Sequence, residues 1–173
     1  MIVLKSDRLI LRNLILQDAE VMHDYRNNEV CAKYQRGMTR ELNAIRKLIE
    51  THKNDQVNDI QPFIFAVELT KTKKMIGEIV VMPSEMTFSI GYTISYKHHR
   101  NGYAYEALNI LINHLHEQYP LWEFISYTDR DNVPSMNLLT KLGYENLGYI
   151  DSIESQAFGK WVKESTLTKE TLQ

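Results

Sequence analysis

Between Thr87 and Leu115 the sequence changes period, and that change limits the folds open to the chain. The run "TFSIGYTISY" alternates strictly. Phe88, Ile90, Tyr92, Ile94 and Tyr96 share one face; Thr87, Ser89, Gly91, Thr93 and Ser95 share the other. A period of two is a β-strand. Beyond Gly102, Ala104, Leu108, Leu111, Ile112 and Leu115 follow helical spacing. The joint between them, "YKHHRNG", holds a lysine, two histidines and an arginine, and no acidic residue.

A strand that runs straight into a helix leaves the first helical N–H groups unpaired. Those donors and the helix dipole favour an anion. Gly102 has no side chain to keep a ligand off the backbone, and Ala104 is small two positions on. The joint therefore reads as a phosphate cradle at the mouth of the helix from Gly102 onward, with Arg100 and the two histidines as added donors. The same pattern also admits a plain turn whose glycine relieves strain.

The rest of the chain supplies a sheet for this unit. "RLILRNL" reads as a strand and "QDAEVMHDYRNN" as a helix with Val21, Met22 and Tyr25 on one face. A second helix, "TRELNAIRKLIETH", is expected to start at an N-cap on Thr39. "FIFAVEL" and "KMIGEIVVM" are strands; "WEFISYT" is another after the long helix. "NVPSMNLLTKLGY" is a helix stopped by Gly143. "ENLGYI" and "FGKWVKES" are two final strands. The order β-α-α-β-β-β-α-β-α-β-β predicts an α+β fold with a mixed sheet.

At 173 residues the chain suits one domain spanning 1–173. A formal net charge of -2 points away from nucleic acid or an anionic membrane as the main partner. Aromatic and basic residues do not interleave in a stripe, which removes the other sign of a nucleic-acid surface. A lone cysteine, Cys31, closes no disulfide within the chain and has no companion ligands for zinc. The opening residues carry charge at Lys5, Asp7, Arg8 and Arg12, against a signal peptide. A cytoplasmic protein is expected, without metal and as a monomer or homodimer. Adjacent His98 and His99 would point apart in an extended segment, a poor chelate. His114 and His116 are expected on the exposed side of their helix.

"HHRNGYAYEAL" resembles the phosphate loop of the GNAT acetyltransferase superfamily, Gln/Arg-x-x-Gly-x-Gly/Ala. His99 falls on the first position, Gly102 on the glycine and Ala104 on the last. "SDRLILRNL", "MIGEIVV", "FSIGYTI" and "DNVPSMNLLTKLGYENLG" are similar, in order and spacing, to motifs of the branch containing the ribosomal-protein N-terminal acetyltransferases. The resemblance implies a strongly twisted central sheet flanked by helices, with the fourth and fifth strands splayed apart. Acetyl-CoA would bind in the splay, its pantetheine along the strand edge near Ile94. Its pyrophosphate would lie on the N–H groups of Arg100, Asn101, Gly102, Tyr103 and Ala104.

The same resemblance assigns Asn132 to the pantetheine arm and Ser135 to the departing thiolate. Both also suit a helix start, as cap and first turn. Two positions depart from the family. The usual general-acid tyrosine is Leu139, and the usual basic glutamate is Ser89. Glu78 is a substitute base in principle, although a glutamate on a strand is expected to face solvent. Tyr34 and Arg36 would line the acceptor cleft, or belong to an ordinary surface loop. The implied activity is acetyl transfer to a primary amine, either a protein N-terminus or a small molecule. The alternative is a non-catalytic acyl-CoA-binding module. A different nucleotide-binding protein is disfavoured, because no Gly-Lys-Ser/Thr element is present.

Overall fold

The computed structural model describes residues 3–163. Its spine is one eight-stranded sheet: β1 (Val3–Lys5), β2 (Leu9–Asn13), β3 (Phe63–Leu69), β4 (Met75–Ser84), β5 (Thr87–Ile94), β6 (Glu123–Thr128), β7 (Glu145–Ile150) and β8 (Ser155–Lys160). The spatial order is β1-β2-β3-β4-β5-β6-β8-β7. All neighbours are antiparallel except β5 and β6, which are parallel. A parallel pair needs a crossover. Here it is α4 (Tyr103–Gln118), the helix that follows the basic joint. The remaining helices are α1 (Ala19–Asn27), α2 (Glu29–Ala32), α3 (Leu42–His52) and α5 (Val133–Lys141).

Alternation in the strands divides the core between the two faces of the sheet. Phe63, Phe65, Ile79, Val81, Phe88 and Ile90 pack with Ala107, Leu108, Leu111, Ile112 and Leu115 of α4 and Leu139 of α5. Ile64 and Ala66 turn the other way, toward Met22 and Tyr25 of α1 and Ile45 and Ile49 of α3. Gly102 caps α4 without a side-chain hydrogen bond. A glycine in place of a capping side chain costs roughly a few tenths of a kcal/mol. Each large apolar side chain buried from α4 returns about 1.5–3 kcal/mol. Packing therefore holds this helix and leaves its first N–H groups uncapped.

Gly77 of β4 lies opposite Ile94 of β5. A side chain at Gly77 would collide with the carbonyl oxygen of Thr93 and with Ile94. The glycine thus lets β4 and β5 approach closely where β5 ends.

The structure corrects several expectations. A short strand, β1, precedes the one read first, and α2 forms a single turn where a loop was expected. The cap of α3 is Glu41, whose carboxylate accepts from Asn43 N and Ala44 N. Thr39 instead gives its carbonyl to Arg26 at 2.9 Å. Tyr96 leaves the strand face, since Tyr96–His98 is a short 3-10 turn. His114 and His116 are half-buried. The His116 ring stacks on Trp161 with centroids 3.7 Å apart. β8 ends at Lys160 and Trp161 has φ 55°, so "FGKWVKES" does not continue as a strand. Its Glu164 and Ser165 lie outside the described residues.

Candidate functional site

β5 and β6 pair only at Thr87–Glu123, Phe88–Phe124 and Ser89–Ile125. Beyond Ser89 they diverge, which is the expected splay. Ser126 Oγ donates to Ile90 O at 3.0 Å just past the last pair. The carbonyls that face the gap follow at every second residue. Gln35 Nε2 reaches Tyr92 O at 3.5 Å, and His99 Nε2 donates to Ile94 O at 2.7 Å. Cys31 Sγ also lies 3.5 Å from Ile94 O. On an antiparallel strand a residue's N–H and C=O leave the same edge. The N–H groups of Tyr92 and Ile94 therefore face the gap as well.

The joint between β5 and α4 is a constrained turn. Arg100 (φ 61°) and Gly102 (φ 76°) are both left-handed. For a non-glycine residue such as Arg100 this costs about 1–2 kcal/mol, so neighbouring contacts must hold it. Asn101 Nδ2 donates to His98 O at 3.1 Å and to His99 O at 3.0 Å. Arg8 Nη1 donates to Asn101 O at 2.9 Å, and its guanidinium lies over the Tyr103 ring. Among the described residues, the N–H groups from Arg100 to Tyr105 have no protein acceptor; the first helical bond is Glu106 N to Gly102 O at 3.1 Å.

Glu106 is the acidic residue in the first turn of α4. Ser6 Oγ donates to it at 2.5 Å, Arg8 N at 3.1 Å and Arg8 Nε at 2.7 Å. Burial acts to raise its pKa, and the hydrogen bonds from Ser6 and Arg8 outweigh that and hold it below the usual carboxylate value. Its charge is thus matched by Arg8 rather than opposed to an anion at the turn. Burial, assisted by the Lys97 charge, lowers the pKa of His98 and favours its neutral form.

Across the gap, Asn132 caps α5 and its Oδ1 accepts from Ser135 N at 3.3 Å. Ser135 Oγ lies 2.8 Å from Tyr92 Oη. Leu139, one turn further, is buried in the core. The segment after α2 crosses the same end of the sheet. Tyr34 Oη donates to Asp131 O at 3.1 Å, and Arg36 donates to Ile153 O at 3.1 Å and Glu154 O at 3.0 Å. Gln35 also reaches Thr93 Oγ1 at 3.1 Å.

The predicted residues therefore fall into two groups. Ile94, His99 to Ala104, Asn132 and Ser135 line one gap and its mouth. Tyr34 and Arg36 strap its far rim. Glu78 and Ser89 sit apart, on the alternate face of the sheet from Tyr92. Glu78 does not face solvent: it is buried, with Arg26 Nε at 3.0 Å from one oxygen and Arg26 Nη2 at 2.7 Å from the other. A buried carboxylate needs such a partner. Sequence reasoning missed Arg8, Gln35 and Tyr92 as parts of the site. For Arg8 and Tyr92 the available signal was their place in two of the quoted motifs.

The model of the acetyltransferase (GNAT) domain matches residues 8–145, and the chain belongs to that family. The uncharacterized N-acetyltransferase YoaA of Bacillus subtilis is 28% identical over 152 residues, covering 86% of this chain and 85% of that one. The crystal structure of a GNAT-family acetyltransferase from Bacillus anthracis superposes with a TM-score of 0.78 at 21% identity, covering 91% of this chain and 96% of that one. RimL, the ribosomal L7/L12 alpha-N-protein acetyltransferase in complex with coenzyme A, gives a TM-score of 0.76 at 14% identity, covering 92% and 97%. At these identities the two solved structures show the shared fold. Among the described residues, no helix is long and apolar enough to cross a membrane, and no group of three His, Cys, Asp or Glu side chains gathers to hold a metal.

Proposed function

We propose that this protein transfers the acetyl group of acetyl-CoA to a primary amine, by direct attack with both substrates bound. The observation that carries this reading is the gap between β5 and β6 ending at an uncapped helix start with free N–H groups. The pyrophosphate takes the donors from Arg100 to Ala104, and Arg8 steadies the turn by holding Asn101 O. The pantetheine amides run along the β5 edge by Tyr92 and Ile94, and Asn132 closes the other side. Holding the thioester and amine together removes much of the entropic barrier. A β5 N–H in the gap stabilises the oxyanion, and Ser135 serves the departing sulfur.

His99 supports the cradle from behind, because its ring is turned onto Ile94 O. Glu78 is held at both oxygens by Arg26, so water takes the proton of the amine. The amine enters by the rim of Tyr34 and Arg36 and is a protein N-terminus or a small molecule. The free, buried Cys31 suits a reducing compartment such as the cytoplasm.

A non-catalytic acyl-CoA-binding module is the second reading, favoured by the burial of Leu139 at the usual acid position. The two are separated by following CoA release with a panel of N-terminal peptides, amino acids, polyamines and amine antibiotics. Acetylation of at least one is expected. Tight acetyl-CoA binding with no acetylated product from any amine would establish the module instead.

A further inference from the structure

Tyr92 and Ser135 are 43 positions apart and meet across the gap. We propose that Tyr92 is a positioning residue for Ser135: its phenol donates to Ser135 Oγ, which leaves the serine's own proton free to meet the departing thiolate. This inference rests on the acetyl-transfer reading above.

The direction of the bond follows from the chemistry of the two hydroxyls. A phenol, with a pKa of about 10, is a stronger donor than an aliphatic hydroxyl and a weaker acceptor. Burial raises the Tyr92 pKa further and outweighs the opposing contact with Ser135, so the phenol stays protonated. The neighbouring phenol, Tyr144, is likewise held neutral by burial. A hydroxyl on a helix with no other partner turns its proton back to a carbonyl one turn earlier. Thr140, on the same helix, does so and donates to Met136 O at 3.0 Å. Ser135 instead faces Tyr92 and the gap.

Tyr92 is well placed to hold it. β5 remains paired to β4 at this point, with Tyr92 opposite Ile79. Leu139 offers no hydroxyl on the next turn of α5. In the reaction the amine lone pair forms the C–N bond, and the C–S bond breaks with its electrons going to sulfur. The amine's proton leaves to water. Ser135 donates a hydrogen bond to the thiolate and keeps its proton; the thiolate is protonated later by solvent.

The test compares the parent protein with Tyr92→Phe, Ser135→Ala and the double variant. Two readouts are used: kcat and KM for acetyl-CoA, and the affinity for CoA relative to desulfo-CoA. Tyr92→Phe should lower kcat about tenfold, the size of one hydrogen bond to a charged group, with KM nearly unchanged. The preference for CoA over desulfo-CoA should fall in parallel, and the double variant should be no worse than Ser135→Ala. Unchanged kcat and unchanged preference in Tyr92→Phe would overturn the proposal, as would losses that multiply in the double variant. A parent protein that binds CoA but turns over no amine removes the acetyl-transfer reading, and the CoA preference still decides the Tyr92–Ser135 relationship. A parent that binds no CoA overturns both.

Discussion

Arg8 and Glu106 lie 98 positions apart and join the first edge of the sheet to the start of α4, with Arg8 Nε 2.7 Å and Nη2 2.6 Å from the same carboxylate oxygen. The Ser-x-Arg opening of the chain is thereby explained. Ser6 and Arg8 secure the helix whose N-terminus is the proposed cradle, and Arg8 also holds Asn101 O.

Glu106→Gln should lower stability near neutral pH, read by denaturant unfolding. The folded-state pKa of Glu106 lies below its ordinary value. Its contribution is therefore present above the unfolded carboxylate pKa of about 4.3. It is lost as the pH falls through the lower, folded-state pKa. The gap between parent and variant should close with acidification. A gap that widened in acid would contradict the assignment.

Gly102→Ala and Gly102→Glu should separate backbone cost from cofactor binding. Both force a side chain into a left-handed backbone, costing about 1–2 kcal/mol of stability. A Cβ there meets only Arg8 Nη2, at 3.5 Å, so both variants should fold. The Gly102→Glu change places a negative charge at the proposed pyrophosphate site, and only that variant should lose acetyl-CoA binding altogether. Normal binding by a folded Gly102→Glu protein would refute the cradle.

Much of this arrangement is legible in the sequence because it is local. The two-residue period of β5 separates Phe88, Ile90, Tyr92 and Ile94 from Thr87, Ser89, Gly91 and Thr93 without reference to any partner. The joint from Tyr96 to Gly102 declares its chemistry by composition. What escapes is long-range. Glu78 looks solvent-facing because Arg26, 52 positions away, is invisible to a local pattern. Tyr92 looks like one more core aromatic until the splay and α5 place Ser135 beside it. A four-residue helix such as α2 is too short to show a period. Glu41 caps α3 although glutamate is not a preferred cap, because its longer side chain reaches two N–H groups at once.

Glu78→Ala should act on folding rather than chemistry. Removing one partner of a buried pair leaves Arg26 unpaired, at a cost of about 3–5 kcal/mol. Arg26→Met with Glu78→Leu should cost less than the sum of the single changes. Thermal or denaturant unfolding gives these values. A stable Glu78→Ala protein with a selective loss of kcat would make Glu78 a base after all.

Leu139→Tyr should not restore a general acid. The side chain is buried in the core between α5 and the sheet, and the larger ring overpacks it by about 1–3 kcal/mol. Reduced stability with no gain in kcat is expected. A faster enzyme would show that this position reaches the gap.

The most direct measurement is a calorimetric titration of the purified protein with acetyl-CoA, using ATP as the control nucleotide. A single site of micromolar affinity for acetyl-CoA is expected, about -8 kcal/mol, with no comparable binding of ATP. Absence of acetyl-CoA binding to a folded protein, or equal affinity for ATP, would contradict that expectation.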